Sequence, residues 1–362
     1  MKKINALLII FLLSSMVSLR AQTAEELQEK DEMVIVEDSA KSKMRSSQKA
    51  YNEGVDAFHK KNYKVAIQKY NEAIKIDPSF VQAYLNRATA KYDEGDFKGA
   101  IDDYSHVISK QTDLTMAYFG RARAKERIND VAGAMDDLDK HLEINPKHAT
   151  GHYHRGLLEY LRGEYQKAIE DFTAAIDNDK DLVNAYNDRG SSKRALEDYK
   201  GAVEDYKKAI ALNPKQAHVH NNLGSVLRLL GKLDEAIKSY DSAIQLDPNY
   251  YIAYNNRGRA KLELGKMDDA IKDFNQAIRL KEDYVLAWNN RANAYYKLAK
   301  YEDAIKDYNK AITLNAKDGV VYLNRGISKE MTRDFTGACQ DWQKAKELGL
   351  KNAEKYLQQS CN

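Results

Sequence analysis

The sequence predicts an all-α chain built as a linear array of two-helix units. Three observations carry that prediction. Alanine recurs at one fixed pitch of 34 residues, at Ala66, Ala100, Ala134, Ala168, Ala202, Ala236, Ala270, Ala304 and Ala338, with no insertion or deletion. Within each unit the apolar residues fall at spacings of three and four, in two stripes separated by a turn such as Leu264-Gly265-Lys266. All four prolines (Pro78, Pro146, Pro214 and Pro248) share one column, position 32, just past the second stripe, where proline ends a helix without breaking one. At 362 residues a single compact core would be large, but an array has no such limit because each unit packs on its neighbours.

The elements follow in order. Lys2 and Lys3 precede an apolar run over residues 4–13, then Ser14, Ser15 and Ser18. This reads as a signal peptide, residues 1–21, cut after Ala21, although Leu19 is larger than the usual residue at its place before the cut. The run is short for a membrane span, so membrane association is expected only if the segment is retained. Residues 22–46 are charged and lack a long apolar period, and are expected to be a mobile leader. Nine units follow over 47–351: 47–80, 81–114, 115–148, 149–182, 183–216, 217–250, 251–284, 285–318 and 319–351. Residues 352–362 form a last short helix and tail, with Ala353, Tyr356 and Leu357 on one face to cover the open end.

The columns state the packing rule. Position 8 is always small, from Gly54 through Gly258 to Gly326, and position 20 is always alanine. Position 24 is large, from Tyr70 through Phe274 to Trp342, and fills the space beside the small residues. Large at 4, small at 8, alanine at 20, aromatic at 24, alanine at 27 and proline at 32 resemble the tetratricopeptide repeat. Departures are local: His141 stands at position 27, and Thr112, Lys180, Glu282 and Ala316 at position 32. The resemblance implies a right-handed α-solenoid superhelix, with the first helices lining a concave groove. It also implies a non-enzymatic scaffold for protein–protein interaction.

Position 7 is mostly arginine and position 23 mostly aspartate, and the two track each other unit by unit. Arg87 goes with Asp103, Arg121 with Asp137, Arg155 with Asp171 and Arg189 with Asp205. Arg257 goes with Asp273, Arg291 with Asp307 and Arg325 with Asp341. Unit one reverses the signs with Glu53 and Lys69, and unit six lacks both, with Leu223 and Ser239. The covariation predicts a structural salt bridge between the helices of each hairpin.

Asparagine occupies position 6 in six units: Asn52, Asn86, Asn222, Asn256, Asn290 and Asn324. Gly120, His154 and Asp188 break the series, and Asn187, Asn221, Asn255 and Asn289 double it at position 5. An amide offers a donor and an acceptor, which suits the backbone of an extended peptide. The same asparagines are also explained as packing residues of the repeat. Tyr51, Phe58, Tyr92, Tyr153, Tyr160 and Tyr296 put aromatics in or near the groove, and Arg123, Arg194, Arg228 and Arg259 add positive charge. These favour a protein partner or extended peptide with acidic and apolar side chains. The carboxylate clamp of tetratricopeptide co-chaperones is missing, since position 5 holds no lysine and position 9 only Asn293.

Cys339 stands at position 21, facing the last helix, and an antiparallel return of that helix brings Cys361 near it. A disulfide is expected if the chain is exported; two free thiols are the alternative. A net charge of +3 gives no case for nucleic acid. No cofactor and no metal is expected: His148, His152 and His154 straddle a turn, and no phosphate loop or nucleophile motif appears. The chain therefore reads as a periplasmic or cell-envelope scaffold. A membrane-anchored or intracellular adaptor, or an enzyme-complex subunit, are the alternatives.

Overall fold

The computed structural model describes the backbone of residues 2–361 and the side chains of residues 28–361, with 31, 34 and 35 excepted. The proposed signal peptide thus lies outside the residues whose side chains are described. The chain divides into two compact units, residues 1–147 and 148–362.

The first compact unit holds three helical hairpins: α1 (Lys2–His59) with α2 (Tyr63–Ile76), α3 (Val81–Glu94) with α4 (Phe97–Lys110), and α5 (Thr115–Arg127) with α6 (Val131–Ile144). The second holds six. They are α7 (Ala149–Leu161) with α8 (Tyr165–Asn178), α9 (Val183–Ala195) with α10 (Tyr199–Leu212), and α11 (Ala217–Leu229) with α12 (Leu233–Leu246). Then come α13 (Tyr251–Glu263) with α14 (Met267–Leu280), α15 (Val285–Lys297) with α16 (Tyr301–Leu314), and α17 (Gly319–Met331) with α18 (Phe335–Glu347). A last helix, α19 (Ala353–Ser360), closes the order, and no strand occurs among the described residues.

Residues 22–46 are helical, being part of α1, where the sequence reading expects a mobile leader without a helical period. The reason is local. The stretch has no glycine or proline, is rich in Glu and Lys, and places Glu37 one turn before Lys41 (3.6 Å). Its described apolar side chains Met33, Val36 and Met44 are exposed.

Sequence explains the hairpin ends. Several second helices open with Asp-x-x-Gly. Asp96 Oδ1 accepts from the Gly99 amide and Asp130 Oδ1 from the Gly133 amide, each at 3.0 Å, satisfying a donor the helix cannot. The preceding turn needs one left-handed residue. Gly95 supplies it at φ 94° without strain, whereas Ala299 is forced to φ 56°. The core lies between the two helices. A Cβ on Gly258 would come within 2.6 Å of the Phe274 ring, so the small residue at position 8 is what admits the aromatic at 24. Phe274, Tyr206, Tyr240 and Trp342 are fully buried there.

At the end of the second compact unit, α19 lies on α18. Trp342 meets Tyr356 with ring centroids 5.3 Å apart, Lys346 pairs with Glu354 at 2.9 Å, and Cys339 and Cys361 are joined in a disulfide.

Candidate functional site

The first helix of each hairpin presents two polar columns. The first is a tie between successive hairpins. The position 6 side chain of one hairpin bonds to the position 5 side chain of the hairpin before it. Asn222 Nδ2 donates to Asn187 Oδ1 (3.1 Å), Asn256 Nδ2 to Asn221 Oδ1 (3.0 Å) and Asn290 Nδ2 to Asn255 Oδ1 (2.8 Å). Asn86 Nδ2 donates to the Tyr51 hydroxyl (2.8 Å), and in the unit that carries Asp188 the Tyr153 hydroxyl donates to its carboxylate (2.9 Å). The position 5 members Asn187, Asn221 and Asn255 are buried, while Asn222, Asn256 and Asn290 are half-buried. Asn324 turns instead to Asn293 (3.4 Å), exposed Asn52 accepts from Gln48 (2.8 Å), and Asn289 Oδ1 is buried with no hydrogen bond. Each asparagine tie engages one N–H of the position 6 amide and leaves its other N–H outside the tie, whereas Asp188 takes part only as an acceptor.

The arginines named from sequence fall into different situations. Arg228 is neutralised by Glu263 at 2.6 Å. Arg123 stacks on the Tyr92 ring at 4.6 Å and donates to its hydroxyl. Arg259 is exposed, and Arg194 and Tyr296 are half-buried. Burial raises the Tyr296 phenol above its ordinary value. Phe58 and Asn86 line a cavity of about 210 Å³ with Val55, His59, Tyr70 and Thr89.

The second column is the arginine fork. Arg257 grips Asp273 with two nitrogens at 3.0 and 2.6 Å. The same geometry joins Arg87 to Asp103, Arg121 to Asp137, Arg155 to Asp171, Arg189 to Asp205, Arg291 to Asp307 and Arg325 to Asp341. Glu53 and Lys69 pair with signs reversed at 2.9 Å. Two partners go beyond the sequence reading. The third arginine nitrogen reaches position 25 of the preceding hairpin, as Arg257 does to Asp241 (2.6 Å), Arg291 to Asn275 (2.5 Å) and Arg189 to Thr173 (3.1 Å). A lysine at position 11 shares the aspartate: Lys91, Lys125, Lys193, Lys261 and Lys329 lie 2.8–2.9 Å from it. The lysine was visible in the columns, since it is present wherever the Arg–Asp pair is, except beside Glu159 and Tyr295.

Those two exceptions shift the aspartates in opposite directions. Burial pushes the Asp171 carboxyl up, but hydrogen bonds from His152 and Arg155 outweigh it and hold it below the usual range. Asp307 has Arg291 but no position 11 lysine, and burial, aided by Asp303, prevails over Arg291 and Lys306 and raises its carboxyl. Arg257 is held above its ordinary value: burial opposes the charge, but Asp273 and Asp241 together overcome that. This column is a brace within and between hairpins. Among the described residues no group of three or more His, Cys, Asp or Glu is arranged to hold a metal.

Family profiles described as TPR repeat match residues 56–93, 190–228, 224–265 and 258–298, and profiles described as tetratricopeptide repeat match 119–182 and 285–318. Together they span well over half of the chain. The chain belongs to the tetratricopeptide repeat family. No curated protein matches it. Among solved structures it is similar to the tetratricopeptide repeat protein of Parabacteroides merdae, with TM-score 0.52, 18% identity, and coverage of 69% of this chain and 99% of that one. It is similar to pilF of Pseudomonas aeruginosa, with TM-score 0.52, 22% identity, and coverage of 59% and 97%. It is also similar to a chain of the APC/C hetero-tetramer Cut9-Hcn1, with TM-score 0.56, 15% identity, and coverage of 87% and 76%. At these identities the likeness shows the tetratricopeptide fold alone. The family is one of protein–protein interaction scaffolds.

Proposed function

We propose that this tetratricopeptide protein is a non-enzymatic scaffold of the cell envelope that holds an extended polypeptide along its first-helix face. The observation that supports it most is the row of half-buried amides at Asn222, Asn256 and Asn290. Each is fixed by one bond to the preceding hairpin and keeps further hydrogen-bonding capacity at a regular spacing. A row of pre-positioned amides suits the alternating N–H and C=O groups of an extended chain. Export is supported by the signal-like residues 1–21 and by the Cys339–Cys361 disulfide, which persists in an oxidising compartment.

Two experiments test this. Cell fractionation with N-terminal sequencing of the mature protein should find it in the envelope, starting near residue 22. A cytosolic chain beginning at Met1 refutes export. For the groove, recovery of co-purifying proteins is compared between wild type and two triple variants. N222A/N256A/N290A removes the position 6 amides; N187A/N221A/N255A removes only their buried partners. Both break the same ties. A greater loss of partners in the first variant is expected, since the second only frees the outer amides, and recovery from the first equal to wild type would refute a ligand role for the row.

A further inference from the structure

The geometry points to Asp188 as a subsite for a lysine or arginine side chain of the bound polypeptide, within the groove reading above, on which it rests. Asp188 stands at position 6 on α9, where six other units place asparagine. Its two oxygens each accept one bond from a neutral donor, the Tyr153 hydroxyl on Oδ2 (2.9 Å) and Asn187 Nδ2 on Oδ1 (2.8 Å). Among the described residues no lysine or arginine pairs with it, unlike the aspartates of position 23, which each hold an arginine. A carboxylate has about four acceptor sites, so two remain open.

The surrounding amides are oriented toward it. Asn222 donates to Asn187, and Asn187 donates to Asp188. Further along, Asn290 donates to Asn255, Asn255 to Asn256 at 3.4 Å, and Asn256 to Asn221. These amide bonds form two segments, Asn290 to Asn221 and Asn222 to Asp188, and both run the same way, with the donor ends directed toward α9. Aligned dipoles favour negative charge where they converge. Burial opposes that charge and raises the carboxyl above its ordinary value, with Tyr153, Asn187 and His218 acting the other way. A half-buried carboxylate supplied with neutral donors and no lysine or arginine partner is what an incoming cation completes.

The arginines that suggest an acidic ligand are in part already engaged, Arg228 by Glu263 and Arg123 by Tyr92. Arg194 lies six residues further along the same helix, about 9 Å along its axis, and does not occupy the Asp188 carboxylate.

The test measures binding of two capped, fluorescently labelled hexapeptides, hexalysine and an alternating serine–asparagine peptide, to the full exported chain by anisotropy. D188N restores the residue found elsewhere in the column, so the fold is expected to be kept; a thermal melt checks it. The expected result is at least tenfold weaker hexalysine binding in D188N, unchanged serine–asparagine binding, and near wild-type hexalysine binding in D188E. Hexalysine binding within twofold of wild type in D188N overturns the subsite while leaving the groove reading intact. Failure of wild type to bind either peptide overturns the groove reading itself. Displacement of hexalysine by magnesium chloride well beyond that by sodium chloride of equal ionic strength overturns the assignment in favour of an inorganic cation.

Discussion

Unit six carries a natural apolar version of the brace, and this allows a sharp test of what the brace contributes. Where α13 and α14 hold Arg257, Lys261 and Asp273, the preceding hairpin holds Leu223, Leu227 and Ser239. Asp273 is 4% exposed and accepts from Arg257 at 2.6 Å and from Lys261 at 2.8 Å. Changing Asp273 to serine strands Lys261 and leaves Arg257 only the exposed Asp241, with the two cations set against each other, which costs about 3–5 kcal/mol. Changing Arg257 to leucine leaves Asp273 its lysine, so only part of a charged hydrogen-bond pair is lost, about 1–3 kcal/mol. The triple change R257L/K261L/D273S removes every charge at once and installs the combination already packed one hairpin earlier. Replacing a buried ionic group by apolar residues is often neutral. The triple variant should therefore lie within about 1 kcal/mol of wild type, less the Arg257–Asp241 tie, which is exposed at its aspartate end and is worth at most about 1 kcal/mol. Native-state hydrogen exchange of the α13 and α14 amides reads the local opening free energy without assuming that the array unfolds in one step. A triple variant as destabilised as D273S alone refutes the reasoning. A simple swap of Arg257 and Asp273 is a poorer test, because it sets the new aspartate against Asp241 and the new arginine against Lys261.

Three further outcomes are expected. Ala299→Gly relieves a left-handed φ of 56° and should stabilise by about 0.5–1 kcal/mol, measured as a higher urea midpoint. Reducing the Cys339–Cys361 disulfide, which closes a separation of 22 residues, should lower the stability of the last hairpin and α19 by about 3 kcal/mol, read from exchange with and without reductant. Asp171, depressed by His152 and Arg155, contributes stability that is present above the usual carboxylate range and lost as pH falls through its lowered folded value. Asp307, raised by burial, contributes with the opposite sign, so its protonation on acidification favours the fold. Acid titrations followed by circular dichroism should thus show a shallower acid limb for D171N and a steeper one for D307N.

Much of the fold is legible because the repeat samples each packing decision many times. The small residue at position 8 and the aromatic at 24 are individually unremarkable, but their columns reveal the close approach that Gly258 and Phe274 make. Pairing of Arg257 with Asp273 was legible for the same reason, through covariation. Its tie to Asp241 was not, because position 25 varies in chemistry (Asn71, Ser105, Thr173, Asp241) and shares only the ability to accept a hydrogen bond. The helical course of residues 22–46 was missed since propensity without an apolar stripe leaves no period to read. At the candidate site the columns gave the residue types but not their bonds. That Asn256 reaches back 35 residues to Asn221 depends on how successive first helices approach, which no single unit encodes.

This bonding changes how the asparagine row must be understood. The packing and ligand explanations are not exclusive, since an amide has two donors and two acceptor lone pairs and the tie needs one donor. A free asparagine in a groove would lose rotamer freedom on gripping a peptide, at about 0.5–1.5 kcal/mol for each side chain ordered. Asn222, Asn256 and Asn290 are ordered already by Asn187, Asn221 and Asn255, so that loss is borne by folding and not by binding. At Asn187, Asn221 and Asn255 the doubling then has a physical reason: it holds the outer amide in one orientation, which Asn289 does not do because Asn324 bonds to Asn293. By this argument the part of the row best prepared to hold a ligand is α9 to α15, where the doubling is found, while Asn52, which bonds only within its own helix, should contribute least.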